Sequence, residues 1–279
     1  MNLIIDWNEI WKLAHRENAQ VPASDMWAKR IKYFERHVAG HKERTSEMLA
    51  LFNCKSTDTV LDIGAGTGKY ALPLAKQVTA VTAIEPSPTM LNKLKEKKEK
   101  SKISNLTILP LHWEHIVIGQ QIQSHDVVIA SHSLTMYDLK EALLKIHQAA
   151  KREVWLFLFA GDKMEPWTRD LLMKAGTQPE RQKQQLDYLA VYGVLHSIGI
   201  YADITVQTHA YIDCYQSIEA ALEDWELMYN MPPGNEIFVD GIKSRLTPSG
   251  DTFILPRKNR IAIVHWNVAD VAVALSNAS

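Results

Sequence analysis

Five short apolar runs mark the middle of the chain, at 59–63, 78–85, 106–111, 126–130 and 153–160. They lack strict alternation of apolar and polar positions, the pattern of strands covered on both faces of a parallel sheet. Between them lie helical stretches at 70–77, 88–100 and 139–150. Strand–helix alternation at this spacing predicts a doubly wound α/β domain. Residues 1–54 read as a helical cap. Trp27, Ile31, Phe34 and Val38 recur at steps of four, three and four, which is one helix face, and Ser24 ahead of them is a candidate N-cap. A second helix is expected at 45–52, with Asn53 as its stop. After Gly161 the pattern predicts helices at 167–174, 184–198, 217–229 and 236–246, with Ser217 as a cap. Strands are expected at 204–211, 252–255 and 260–266. Placing 260–266 inside the sheet beside 204–211 makes 215–250 a helical insertion before the last strand. The expected main domain is then 55–279, built on a mostly parallel seven-stranded sheet.

Composition narrows the function classes. Hydrophobic residues are 46% and charged residues 23% of 279, a globular balance. With 31 basic against 32 acidic side chains, the net charge is -1, so the chain has no global electrostatic drive toward nucleic acid or an anionic membrane. Residues 93–102 hold six lysines and no aromatic, which reads as a solvated helix face rather than an RNA platform. The two cysteines, Cys54 and Cys214, belong to no CxxC pair and exclude a disulfide scaffold or an all-cysteine zinc site. His112 and His115 have a chelating spacing but no two further ligands, so no metal is expected. No run approaches the ~20 apolar residues of a membrane span, and the N-terminus lacks a signal-peptide pattern. The expectation is a soluble, cytoplasmic protein.

The chemistry concentrates at Val60-Leu61-Asp62-Ile63-Gly64-Ala65-Gly66-Thr67-Gly68. A strand feeding a glycine turn lets a ligand approach the backbone closely. Glu85 ends the second strand, 21 residues after Gly64, where an acid can accept from ribose hydroxyls. A dinucleotide fingerprint would need glycine at 69, and that position is Lys69. Asp62, two residues before the first glycine, is poorly suited to a pyrophosphate and well suited to an ammonium group. S-adenosyl-L-methionine offers an amine, a sulfonium and a ribose without phosphate, so the charge pattern favours it over NAD.

Residues 60–68 resemble the first motif of class I S-adenosylmethionine-dependent methyltransferases. Ala83-Ile84-Glu85-Pro86-Ser87 with Met90 resembles the second, Leu111-His112-Trp113-Glu114 the adenine-framing segment, and 126–131 the strand beside the methyl-transfer site. The resemblance implies a Rossmann-like fold and these roles. Asp62 and the backbone of Gly64, Ala65 and Gly66 hold the methionine end. Glu85 takes the ribose, Pro86 and Met90 flank the nucleoside, Trp113 and Glu114 sit at the adenine, and Ser131 lies near the sulfonium. His112 departs from the acid often found at its position. Residues 1–44 and 215–250 would form a lid over the acceptor. His132, directly after the fourth strand, is a candidate general base or a packing residue, and Tyr137 and Asp138 are further candidates. The expected activity is methyl transfer to a small-molecule acceptor. Methylation of RNA or protein, and nucleoside binding without catalysis, are the alternatives.

Overall fold

Val60, Leu61 and Ile63 are buried on both faces of strand β1 (Thr59–Ile63), as the unbroken apolar run requires. The computed structural model describes residues 5–16, 23–40, 42–162, 164–177 and 188–271. In it β1 pairs in parallel with β2 (Ala80–Ile84) on one side and β4 (His125–Ser131) on the other. β3 (Leu106–Leu109) extends the parallel sheet beyond β2, and β5 (Ala150–Phe159) extends it beyond β4. Two antiparallel strands follow, β8 (Thr252–Asn267) on β5 and β6 (Asp203–Tyr215) on β8. The order is β3-β2-β1-β4-β5-β8-β6, and the short β7 (Thr247–Ser249) pairs with β8. The expected seven-stranded core is therefore joined by an eighth short strand.

The expected strands at 252–255 and 260–266 are one 16-residue strand. The polar stretch Arg257–Lys258–Asn259 looked like a break. It stays extended because β6 runs opposite it in continuous register from Asp203↔His265 to Tyr215↔Phe253. A backbone ladder does not require apolar side chains when other elements partner the polar ones. Arg257, buried, pairs with Glu165 at 2.5 Å and Asp213 at 3.3 Å.

The helices are α1 (Trp7–Arg16), α2 (Ala23–Gly40), α3 (Lys42–Leu51), α4 (Ala71–Leu74), α5 (Pro88–Lys100), α6 (Leu139–Ala149), α7 (Pro166–Lys174), α8 (Tyr188–Ser197), α9 (Ile218–Tyr229) and α10 (Glu236–Lys243). Ser24 falls inside the first turn of α2, not before it. The beginning of the helix expected at 184–198 lies outside the described residues. Ser217 caps α9, accepting from Ala220 N at 3.1 Å. The stretch expected as a helix at 70–77 is a single turn, α4, followed by overlapping turns through Lys76 N→Pro73 O and Gln77 N→Leu74 O.

Each sheet face carries its own apolar core. Leu61, Ile63, Val128, Leu156 and Val264 pack with α1, α6 and α8. Val60, Val127, Ile129, Phe157 and Ile261 pack with Met48 and Phe52 from the N-terminal helices and with α4. The N-terminal helices thus divide between the two faces. Trp11 of α1 donates its indole N–H to Met136 O at 2.8 Å on the first face, while α3 covers the second. A third cluster, with Trp225, Phe238 and Tyr215, joins α7, α9 and α10 to the overhanging ends of β6 and β8.

Candidate active site

The glycine turn is held from both sides. Gly64 N and Ala65 N both donate to Ile84 O, at 2.8 and 3.0 Å, tying the turn to the end of β2. Gly64 has φ +71°, and a Cβ there would collide with Ser133 Cβ. Ser133 is drawn in because its hydroxyl donates to Ile63 O at 2.5 Å. Gly64→Ala meets a left-handed backbone and a clash together, so it is expected to lower stability by about 2 kcal/mol, read in a denaturant melt.

The two acids of the motif lie at the turn. Asp62 is buried, and burial first, then repulsion from Glu85, push its carboxyl up to about 7 against a bond from the Ala71 N–H. Its Oδ2 has no hydrogen-bond partner among the described residues. Glu85 is also buried. Its Oε2 accepts from Gly66 N at 2.7 Å and its Oε1 from Ser87 N at 2.8 Å. Burial raises its pKa against those two bonds. The turn and the acid ending β2 are therefore one bonded unit. Next to it Ser87 caps α5, accepting from Met90 N at 3.4 Å, with Pro86 half-buried and Met90 buried.

The opposite wall is the loop after β4. Ser131, half-buried, bonds the Tyr70 hydroxyl. His132 has φ +54°, unusual for a residue with a Cβ. Its N–H continues the ladder to Phe157 O at 2.9 Å, and its ring lies 4.2 Å from Phe159. Tyr137 is exposed and lies toward α1, with Lys12 6.0 Å from its ring. Asp138 caps α6 through Glu141 N at 2.9 Å and pairs with Lys12 at 2.8 Å.

The Trp113 indole does not enter the crevice. It is buried in the first core and donates to Ala142 O of α6 at 3.3 Å. An aromatic in a ligand-framing segment suggests a stacking surface, but here the apolar side of that turn needed filling. Glu114 is exposed.

Several residues outside the motifs also border the turn; of these the sequence pattern marked Phe34 only as part of an apolar helix face. Phe34 of α2 lies over the turn, its ring edge 3.6 Å from where a Gly66 Cβ would stand. Beside it Glu35 accepts from Thr67 Oγ1 at 2.6 Å and pairs with Lys97 at 2.7 Å. Further along α2, Arg36 pairs with Asp224 and Arg30 donates to Met228 O at 3.3 Å, both on α9. The helix spans from the glycine turn to the inserted block.

Residues 60–153, the stretch holding the glycine turn, both acids and the strands around them, match the family model described as a methyltransferase domain. The chain contains a methyltransferase domain. An uncharacterized protein of Haemophilus influenzae is 26% identical over 254 residues, covering 87% of this chain and 88% of that one. The 23S rRNA (uracil(1939)-C(5))-methyltransferase RlmD of Aliivibrio fischeri is 30% identical over 80 residues, covering 29% of this chain and 18% of its own length. The crystal structure of the YcgJ protein of Bacillus subtilis superposes with a TM-score of 0.52 at 14% identity, over 80% of this chain and 98% of that one, and shares the fold. The matched stretch ends at residue 153, inside β5, and leaves out α1–α3, so Phe34, Glu35 and the inserted helices lie outside it. No helix among the described residues is long and apolar enough to cross a membrane.

Proposed function

We propose that this protein transfers the methyl group of S-adenosyl-L-methionine to a small-molecule acceptor. The observation that carries the reading is Asp62, a buried carboxylate with an orphaned oxygen, bonded into the same turn as Glu85. A buried acid without a partner is costly unless a cationic group completes it. The cofactor's α-ammonium is such a group.

When bound, the cofactor supplies an electrophilic methyl on a sulfonium. The chain's residues bind, orient and exclude water. Asp62 takes the ammonium. Glu85 takes the ribose hydroxyls, with Gly66 N–H and Ser87 N–H already fixing its carboxylate. Pro86 and Met90 flank the nucleoside, the backbone about Trp113 and Glu114 borders the adenine, and Ser131 lines the sulfonium side. His132 serves as general base on the acceptor side, its ring held by Phe159. Tyr137 and Asp138 drop out of that role, since both are turned to α1.

α2 and the block 215–250 form the lid. Phe34 over the turn and the α2–α9 pairs support a closed crevice, and a closed crevice suits a small acceptor better than an RNA. The ribosomal RNA relative matches only 29% of the chain, a stretch that says nothing of the acceptor. Free Cys54, whose thiol burial pushes up to about 11, and free Cys214 suit a reducing cytoplasm.

Glu85→Gln keeps an acceptor atom but loses the charge, so S-adenosylhomocysteine affinity should fall roughly 10-fold in calorimetry. Unchanged affinity in the folded variant would remove Glu85 from the site. For the activity itself, the protein is incubated with methyl-labelled cofactor and separate pools of small metabolites and RNA. Label recovered only in RNA would overturn the small-molecule reading.

A further inference from the structure

Three basic side chains meet on the second sheet face, under the N-terminal helices and next to the glycine turn. Arg44 stands on α3, Lys69 directly follows Gly68, and His209 is on β6. Arg44 Nη1 reaches Asn259 Oδ1 at 3.4 Å, and Asn259 is the register partner of His209, so both side chains belong to one spot on the β6–β8 pair. That spot lies two residues past Ile261, the partner of Phe159 at the end of β5. It therefore overhangs the carboxyl ends of the parallel strands, the end where the glycine turn, Ser131 and His132 lie. Lys69 extends over the Tyr70 ring at 5.0 Å, and the Tyr70 hydroxyl bonds Ser131.

Among the described residues none of the three forms an ion pair with a carboxylate. Among the described residues the groups whose fields act on Arg44 are Tyr70, Tyr211 and the carboxylate of Glu47, which is exposed one turn further along α3. Arg44 Nε and His209 Nε2 are buried without a hydrogen-bond partner among the described residues. Burial, then the field of Arg44, lowers Lys69 to about 8. Burial with Arg44 and Lys69 lowers His209 to about 4. Placing like charges together in a half-buried site destabilises the empty protein, and such an arrangement persists where a ligand completes it. The donors available, a guanidinium edge, an ammonium and an imidazole nitrogen, are those that hold a compact oxyanion.

We propose that the methyl acceptor carries an oxyanionic group, a carboxylate or a phosphate, and that Arg44, Lys69 and His209 bind it beside the reacting centre. The assignment of that ligand as the acceptor rests on the methyl-transfer reading. The anion site itself does not.

The test uses the full chain, first titrated with S-adenosylhomocysteine and then, in that complex, with inorganic phosphate and with benzoate in separate calorimetric arms. Saturable binding in one arm is expected and tells phosphate from carboxylate. Arg44→Met should weaken that binding about 30-fold while leaving S-adenosylhomocysteine affinity within a factor of about three. Lys69→Met should weaken it similarly and, lacking an unpaired charge to bury, should melt no lower than the wild type without anion. It also serves if Arg44→Met does not fold. Binding of neither anion to the wild type, or equal binding to wild type and both variants, overturns the proposal. Anion binding without S-adenosylhomocysteine binding leaves the site standing and overturns the methyl-transfer reading instead.

Discussion

Asp62→Asn is expected to weaken S-adenosylmethionine binding by about 100-fold or more, because it leaves the ligand's ammonium buried beside a neutral amide. The same variant should be more stable than the wild type at about pH 8 when no ligand is present. The sign follows from the direction of the shift. Burial raises the Asp62 carboxyl from 3.8 to about 7. The stability linked to its protonated form is complete below the lower value and is lost as pH rises through the upper one. The asparagine variant has no such loss. Binding should also move a proton. At about pH 6 the empty wild-type site holds its carboxyl protonated, and pairing with an ammonium drives that proton off. Calorimetry in two buffers of different ionisation heat should then show release of nearly one proton in the wild type and none in Asp62→Asn. Equal affinities for the two proteins would remove Asp62 from the binding site.

His132→Asn is expected to lower kcat by at least ~10²-fold with cofactor affinity unchanged. Asparagine is chosen because it tolerates the left-handed backbone found here, φ +54°, so the loop that presses Ser133 onto Gly64 is kept. The low-pH limb of kcat should disappear with the imidazole. A parallel and modest fall in kcat and in cofactor affinity would instead make His132 a packing residue against Phe159, and wild-type values for both would place the base elsewhere.

The parallel half of the fold was legible because local signals agree there. Val60 to Gly68 carries strand, turn and ligand chemistry within nine residues, and Glu85 follows at a fixed offset. The block 88–100 was placed correctly to the residue, since Ser87 and Pro88 mark its start. What was not legible depends on partners far away in the chain. Arg257 and Asn259 looked like a strand break because Glu165, Asp213 and Arg44 satisfy them from elsewhere. The resemblance places Trp113 at the adenine, and nothing local shows that Ala142 accepts its indole proton. Phe34 and Glu35 carry no motif, and only the packing of α2 across the glycine turn brings them to Gly66 and Thr67. The Arg44–Lys69–His209 cluster draws one residue from each of three distant segments, so no spacing rule could have found it.

The most direct measurement is a calorimetric titration of the full chain with S-adenosylmethionine and, separately, with NAD. Saturable one-to-one binding of S-adenosylmethionine, with proton release at about pH 6, and no heat from NAD are expected. Saturable binding of NAD with silence toward S-adenosylmethionine would contradict it.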